Sequence, residues 1–323
     1  MNNSEKIIKH LERNQTTVNE LTEYLGISRQ ATHKILRKLL ENGQITKSGK
    51  PPKVFYSISQ KAEFTADGIA IDEAAKKIID RNFLYITPLG AMMSGWEGFA
   101  YWCQERGLDT VKMAQTYISK LKYYEKYRKN GLIDGMYKMK STFRDVALDR
   151  VFYLDFYSLE IFGKTKLGQL LLFAKQSQDR QMINEIADMV KPAILKLIKD
   201  YKIDGVGFIP PTVKRELQLM KQLEKHLSLD MRRLSITKVK TPIIVPQKTL
   251  NKIEDRVANA RETIVVEDSG VYENVLLIDD AVGSGATLNE TAKKIRQKGL
   301  VKGKIIGLAI TGSFKGFEII SEI

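Results

Sequence analysis

The sequence has few of the residues that build disulfide frameworks and metal sites. Its 323 residues include one cysteine, Cys103, and three histidines, His10, His33 and His226, which lie far apart along the chain. A single cysteine excludes an intrachain disulfide and fits a reducing cytoplasm. Because the cysteine and histidines do not recur at the spacing of metal ligands, we expect no structural zinc. These absences predict a cytoplasmic protein.

Long apolar runs are also missing. The start, MNNSEKIIKH, lacks the apolar centre of a signal peptide, and no segment approaches the length that spans a bilayer. We therefore expect no membrane association. Hydrophobic residues make up 43% of the chain and charged residues 28%, as in ordinary globular proteins. The net charge of +14 indicates a polyanionic partner or substrate.

The first part of the chain, residues 1–60, predicts a small domain of helices followed by a hairpin. Helical spacing of apolar residues occurs in KIIKHLER, in VNELTEYLG after the candidate caps Thr16 and Thr17, and in SRQATHKILRKLLENG. The last of these helices is expected to turn four residues inward: Ala31, Ile35, Leu39 and Leu40. QITKSGKPPKVFYSIS is typical of two short strands around a turn. Over residues 4–60 this order resembles a winged helix-turn-helix.

Polar residues of this domain are candidates for contacting DNA. In a winged helix the start of the recognition helix reads base edges and the wing neutralises phosphates. The candidates are Ser28, Arg29, Gln30, Thr32 and His33 on the helix and Lys47, Lys50 and Lys53 on the hairpin. Residues 1–60 contain ten lysines and arginines and five acidic residues, an excess of +5. The alternative is a domain for protein contacts or dimerisation, because such polar residues suit any solvated helix face.

Residues 61–150 predict a helical connector and a possible dimerisation region. AIDEAAKKIIDRN and TVKMAQTYISKLKYYEKYRKNG have amphipathic spacing, and GWEGFAYWCQ contains both tryptophans. The mixture of tyrosine with lysine and arginine in KLKYYEKYRKNG is typical of nucleic-acid-binding surfaces, and equally of a helix with half-buried tyrosines. A single winged helix has a small footprint on DNA, so we expect a homodimer. The aromatic helices of residues 96–130 are its candidate interface.

From residue 151 to 323 short β-rich runs alternate with helical segments. TPIIVPQ, TIVVED, NVLLIDD and KIIGLAIT predict strands, whereas KPAILKLIKDYK and ATLNETAKKIRQKGL predict helices. Such alternation favours a largely parallel sheet flanked by helices. The expected fold class is therefore α/β, with a Rossmann-like C-terminal domain.

The stretch VLLIDDAVGSGATLNET, residues 275–291, is the strongest candidate for a binding site. An apolar strand leads to Asp279 and Asp280, then to a glycine loop at the start of a helix. Backbone N–H groups converge at a helix N-terminus and favour an anion, and glycines let the backbone close on a phosphate. Two carboxylates would repel that phosphate unless a group such as ribose lay between, with its hydroxyls donating to them. The stretch therefore predicts binding of a ribose 5-phosphate.

This stretch resembles the signature of type I phosphoribosyltransferases. The matching residues are Ile278, Asp279, Asp280, Ser284, Gly285, Ala286 and Thr287, with serine in place of the commoner threonine. The resemblance extends to the ComF-like branch through QKTLNKIEDRVANARETIVVE, in which Gln247, Leu250, Arg256 and Asn259 match. IPPTVKR at 209–215 resembles the branch's proline loop, and GKTKLGQLLLFAK resembles its early helix.

The resemblance implies binding of phosphoribosyl pyrophosphate (PRPP), with magnesium carried mainly by PRPP. Asp279 and Asp280 would hold the ribose hydroxyls, and Lys214 and Arg215 would meet the pyrophosphate. Arg256 would lie on the mobile loop that covers the site. The loop that cradles the 5′-phosphate would comprise Ala281, Val282, Gly283, Ser284, Gly285, Ala286 and Thr287. The implied chemistry is displacement of pyrophosphate at C1 by a nitrogen nucleophile.

The chain departs from the family pattern at two places. An ordinary helix follows PPTVKRELQLM, where the ComF-like loop has an arginine-rich stretch, and eleven residues follow Gly312. An acceptor-binding hood would therefore have to come from residues near 151–170. We expect a PRPP-responsive transcriptional regulator. The alternative is an active phosphoribosyltransferase, a glycosyltransferase acting on an unidentified nitrogenous acceptor. Such an enzyme could also be the effector of a mobile or defence element.

Overall fold

The computed structural model describes residues 2–50, 52–58, 66, 68–211, 215–239, 250 and 252–313, and for Lys50 the backbone alone. The chain divides into two compact units. The first comprises residues 1–67 with 87–91, and the second comprises residues 68–86 with 92–323.

The described part of the first unit consists of helices α1 to α3 and a hairpin. Their bounds are α1 Asn3–Leu11, α2 Val18–Leu25, α3 Arg29–Glu41, β1 Ile45–Lys50 and β2 Lys53–Ile58. Thr17 caps α2 in a reciprocal pair with Glu20, which confirms one of the two predicted caps. The helix ends at Gly26, whose φ of 62° is left-handed and favours glycine. Strands β1 and β2 are antiparallel.

The inward face of α3 differs from the predicted one by about one residue. Thr32, Leu36 and Leu39 are its buried residues, whereas Ala31, Ile35 and Leu40 are only partly buried. Leu36 and Leu39 pack with Ile7 of α1 and Leu21 of α2. The neighbouring helices therefore set the rotation of α3, and they place Thr32 in the core.

The second unit begins with short strands and helices. These are α4 Glu73–Asn82, β3 Leu84–Ile86, β4 Met92–Ser94, α5 Gly95–Gln104, α6 Thr110–Glu125, β5 Arg128–Lys129, β6 Leu132–Asp134 and α7 Met136–Thr142. The remainder alternates strand and helix. Its elements are β7 Arg150–Phe156, β8 Ser158–Leu159, β9 Gly163–Lys164, α8 Lys166–Ser177, α9 Arg180–Asp200, β10 Gly205–Phe208, α10 Leu219–Leu227, β11 Arg232–Arg233, β12 Ile236–Lys238, α11 Ile253–Thr263, β13 Ile264–Val266, β14 Val275–Val282, α12 Ala286–Gln297 and β15 Ile305–Gly312.

A mostly parallel sheet forms the centre of the second unit. Its seven described strands have the order β11-β10-β14-β15-β7-β6-β5, and those from β11 to β7 run parallel. All of β15 and the first half of β14 are buried, because helices cover both faces. The predicted α/β class with a mostly parallel sheet is confirmed.

Helices α8, α9 and α10 cover one face of this sheet. Leu171 of α8, Ile186 of α9 and Leu223 of α10 share a core with Ile278 of β14 and Leu308 of β15. Helix α12 lies on the other face, where Leu288 comes within 3.5 Å of the position that a Cβ would take at Gly307. Among the described helices, none is both long and apolar enough to cross a membrane.

The predicted boundary at residue 150 is not a boundary in the structure. Strand β6 pairs with β7, with Ile133 opposite Tyr153, and Leu84 and Ile86 of β3 lie in the same core as α8 and α9. Residues 68–86 and 92–150 therefore belong to the α/β unit. Hydrogen bonds between strands and a shared core join segments that the sequence pattern treats as separate.

The aromatic cluster of this region is internal. Phe83, Trp96, Phe99, Trp102 and Tyr117 are all buried and contact one another through their rings. These aromatic side chains fill the core of their own unit, and a homodimer through the helices of residues 96–130 stays a prediction. Exposed aromatic rings of the region belong instead to the end of α6 and the residues after it.

Candidate functional site

Strand β14 carries the candidate acidic pair to the carboxyl edge of the parallel sheet. Its first four residues, Val275 to Ile278, are fully buried between β10 and β15. The Ile209 N–H donates to the Ile278 carbonyl at 2.9 Å, so the chain that leaves β10 toward Pro210 starts beside the aspartates. Ligands of open α/β sheets bind outside the carboxyl ends of the strands. The predicted proline loop and acidic pair therefore share one edge.

The turn after β14 is shorter than predicted. Ala281 and Val282 pair with Thr311 and Gly312 of β15, so their backbone groups belong to the sheet rather than to the loop. The loop itself is Gly283 to Gly285, and α12 begins at Ala286. A parallel strand continues as long as its neighbour offers hydrogen bonds, and β15 offers them through Gly312.

The glycine loop leads into the N-terminus of α12. Gly285 has a φ of 80°, a left-handed conformation that L side chains rarely adopt. The buried Ser284 hydroxyl accepts the N–H of Ala286 at 3.3 Å, and Thr287 is partly exposed in the first helical turn. The first N–H groups of a helix have no partner within it, and the helix dipole favours an anion there. The structure thus brings together the five residues predicted to cradle a phosphate from Gly283 to Thr287.

Asp279 is held in a surrounding that disfavours its charge. Burial, and then the neighbouring carboxylate of Asp280, raise the pKa of Asp279 above the usual range. The Asp280 N–H, which donates to Asp279 Oδ1 at 2.8 Å, opposes the rise, as do the ammonium groups of Lys175 and Lys238. The acidic pair therefore comprises one carboxyl that ionises with difficulty and one that pairs directly with a cation.

That cation is Lys175, near the end of α8. Its Nζ lies 2.8 Å from Oδ2 of Asp280, and about a quarter of the lysine side chain and a fifth of the aspartate side chain are exposed. Leu276, Ile278 and Asp280 are alternate residues of β14 and therefore lie on the same face of the strand. Leu276 and Ile278 face α8 to α10. The lysine was not among the predicted site residues. Its position at the end of the apolar run LLLFAK is visible in the sequence, but it does not indicate the distant carboxylate that the lysine contacts.

A second lysine approaches the acidic pair from β12. Burial lowers the pKa of Lys238, and Asp279 opposes this effect by favouring the charged ammonium. Strand β12 pairs with β13 outside the central sheet. Neither lysine could be assigned from spacing, because each reaches the site from an element distant in the sequence.

Arg215 lies close to the same cluster, and within the described part of the chain no carboxylate pairs with it. Its guanidinium donates to the backbone carbonyl of Lys175, and the N–H of Leu217 donates to the side chain of Gln178 at 3.0 Å. The end of α8 thereby fixes the segment that follows the proline loop. Lys214 and Gln247 fall outside the described residues.

The structure corrects the prediction for Arg256. This residue lies in the first part of helix α11, is 6% exposed, and donates from Nε to the Leu250 carbonyl at 2.7 Å. Burial lowers the pKa of its guanidinium. Helix α11 packs against α12. Arg256 is therefore part of a folded helix rather than of an exposed loop.

The candidate DNA-contacting residues of the first unit are mostly exposed. Arg29, Gln30 and His33 on α3 and Lys47 and Lys53 on the hairpin are exposed. Ser28 is the N-cap of α3, with its hydroxyl accepting the Ala31 N–H at 3.2 Å. Lys50 lies opposite Lys53 in the hairpin register, but its side chain is outside the described part of the structure.

Thr32 is the exception among the candidate DNA-contacting residues. It is fully buried, and its hydroxyl donates to the Ser28 carbonyl at 3.2 Å and lies 3.1 Å from the Thr22 hydroxyl. A side chain in this position cannot reach a base edge. The prediction for Thr32 is therefore wrong, because α3 turns this residue toward α2.

Comparison of the chain with models of known protein families and with characterised proteins finds no match. Within the described residues, no group of three or more histidine, cysteine or carboxylate side chains could hold a metal ion.

Proposed function

We propose that the chain is a ligand-responsive DNA-binding regulator and that its ligand is PRPP. The observation that carries this proposal is the order of groups at one edge of the sheet. An acidic pair, a three-residue turn containing Gly283 and Gly285, and the N-terminus of α12 follow one another at the end of a central parallel strand. The proposed ligand is the one whose hydroxyls and phosphates match these groups in the same order.

The two ends of the site select opposite features of a ligand. Backbone N–H groups at the start of α12 attract a phosphate, whereas Asp279 and Asp280 accept hydrogen bonds from hydroxyls and repel anions. A phosphate at the loop is stable beside the carboxylates only if an uncharged, hydroxyl-bearing group separates them. A ribose with a 5′-phosphate meets this requirement, and a bare phosphate does not.

Magnesium fits this site as an ion carried by the ligand. The two carboxylates offer too few oxygens for an all-protein site, and one of them already pairs with Lys175. Magnesium binds proteins through one or two carboxylates together with substrate phosphates. When bound with PRPP, the ion would neutralise pyrophosphate charge, while Asp279 and Asp280 would orient the sugar.

The first unit would supply the DNA-binding half of the regulator as a winged helix-turn-helix. Helix α3 would enter the major groove with Arg29, Gln30 and His33, and the hairpin would place Lys47, Lys50 and Lys53 against phosphates. Two observations support this assignment. The described side chains of these residues are exposed, and residues 1–60 have an excess of positive charge. A dimer would align two such units on DNA.

The second candidate function is an active phosphoribosyltransferase. It is favoured by the position of Arg215, which is bound to the backbone of Lys175 beside the acidic pair. A cation in that place would stabilise departing pyrophosphate while a nitrogen nucleophile attacks C1. Pyrophosphate release with a panel of purine, pyrimidine and nicotinate-like bases distinguishes the two functions: turnover identifies an enzyme, and binding without turnover identifies a sensor.

The binding proposal is tested with Asp279→Asn and Asp280→Asn in the full-length protein. We expect calorimetric titration to show binding of magnesium-PRPP by the wild type and at least tenfold weaker binding by each variant, because an amide is a poorer acceptor for sugar hydroxyls. Asp200→Asn, at the exposed end of α9, controls for the loss of one negative charge. Absence of heat from the wild type at millimolar PRPP would contradict both the sensor and the enzyme.

A further inference from the structure

Two lysines act on the acidic pair. Lys175 Nζ lies 2.8 Å from Asp280 Oδ2, and the charge of Lys238 acts on Asp279. Lys175 comes from α8 and Lys238 from β12, on separate elements of the second unit. Two carboxylates adjacent in the chain repel each other, and a nearby ammonium reduces that cost. The site is therefore a balanced cluster of charges rather than an exposed acidic patch.

The backbone of Lys175 is held in place by its surroundings. The lysine is in the last turn of α8, where a positive charge is favoured by the helix dipole. Its backbone carbonyl accepts the Arg215 guanidinium, and Gln178, just beyond the helix, accepts the Leu217 N–H at 3.0 Å. These contacts hold the helix end against the segment after β10. Lys175 is thus fixed beside the carboxyl edge of β14 by more than its own ion pair.

We propose that Lys175 is the resident counter-ion of the acidic pair and that it makes the site select a phosphorylated sugar over a free divalent cation. An ammonium on Asp280 occupies the side of the carboxylate that a bare metal ion would approach. The same positive charge reduces the repulsion between the carboxylates and the phosphates of a ligand. Lys175 acts on the ligand through Asp280 and is a positioning residue.

The proposal predicts effects of opposite sign on two ligands. Removing the charge of Lys175 leaves the carboxylates uncompensated on one side, so a cation should bind more tightly and an anionic sugar phosphate more weakly. A purely structural role would weaken both or neither. The part of the proposal that concerns sugar phosphates rests on the proposed function, whereas the part that concerns cations does not.

The test uses Lys175→Met in the full-length protein, with manganese alone and with magnesium-PRPP as separate probes. We expect manganese binding, followed by electron paramagnetic resonance, to be at least fivefold tighter than in the wild type. PRPP binding should be at least tenfold weaker, and Lys175→Arg should restore it in part because the charge returns. Lys166→Met removes the same charge from the other end of α8, about 13 Å away along the helix, and should change neither affinity.

Each outcome decides the proposal. If Lys175→Met and Lys166→Met bind manganese equally, Lys175 is not the counter-ion and the proposal is overturned. Tighter PRPP binding in Lys175→Met also overturns it, since the lysine would then compete with the ligand. If the wild type binds no PRPP, the proposed function fails, while tighter manganese binding by Lys175→Met still supports the counter-ion. Melting curves of all variants identify any that do not fold.

Discussion

Asp279 is the residue whose surroundings most oppose its ordinary ionisation. Its pKa is raised first by burial and then by Asp280, while Lys175 and Lys238 limit the rise. A carboxyl with a raised pKa in the folded state binds its proton more tightly there than in the unfolded chain. Its stabilising contribution is complete below the unfolded pKa of about 3.9, and it is lost as pH rises through the folded value. Ionisation of Asp279 at higher pH therefore lowers the free energy of unfolding.

Asp279→Asn should remove this cost, because asparagine cannot ionise and can still accept the Asp280 N–H. We expect the variant to gain stability over the wild type as pH rises from about 4 toward the raised pKa of Asp279. Urea unfolding at pH 5 and pH 8, followed by the fluorescence of Trp96 and Trp102, measures this gain, since both tryptophans lie in the second unit. An equal difference at both pH values would show that Asp279 ionises as freely in the folded protein as in the unfolded chain.

Helix α12 is fixed by a polar contact as well as by its apolar face. The buried Asn289 accepts the N–H of Ala147 and donates to the carbonyl of Asp145, each at 2.9 Å. Arg296, two turns later, pairs with Asp149 at 2.6 Å. These contacts join the helix to the segment before β7. The position of the helix N-terminus, and with it the glycine loop, depends on them.

Asn289→Ala should lower the free energy of unfolding by about 2 kcal/mol, because it removes two hydrogen bonds, each worth about 1 kcal/mol. Urea unfolding followed by tryptophan fluorescence measures the change. Gln297→Ala, at the exposed end of the same helix, should change it little, since a surface substitution is usually within about 0.5 kcal/mol. A loss no greater than that of the control would show that solvent replaces both contacts.

For the molecule as a whole, the property that bears most on DNA binding is its excess of positive charge. The net charge is +14, and the first unit contributes exposed basic side chains on α3 and on the hairpin. A protein that neutralises DNA phosphates releases counter-ions, so its affinity falls steeply with salt. The proposed regulator should therefore bind duplex DNA in a strongly salt-dependent manner.

Replacing Arg29 and Lys47 with alanine should weaken DNA binding and reduce the slope of log affinity against log salt by about one for each phosphate contact that is lost. Fluorescence anisotropy over a range of salt concentrations measures that slope. Lys302→Ala, on an exposed turn of the second unit, controls for lost charge alone. If the wild type shows no salt-dependent binding to any duplex, the first unit is a module for protein contacts.

Local features of the sequence determined much of the fold. The cap at Thr17 and the alternation of strands with helices were predictable, because these depend on residues a few positions apart. The order of acidic pair, glycine turn and helix was predictable for the same reason. It lies within one continuous stretch, and its glycine in a left-handed conformation satisfies a local backbone requirement.

Only the tertiary structure decided which side chains surround that stretch. Lys175 and Lys238 reach the aspartates from α8 and β12, and Ala281 and Val282 join the strand because β15 offers hydrogen bonds. In α3, Thr32 is buried because neighbouring helices set its rotation. The periodicity of apolar residues predicts that a helix has an inner face, but it places that face only to within about one residue. An ion pair between distant segments has no characteristic spacing in the sequence. The chain therefore encodes the acidic pair and the glycine turn locally, while long-range packing supplies the lysines that act on the acidic pair.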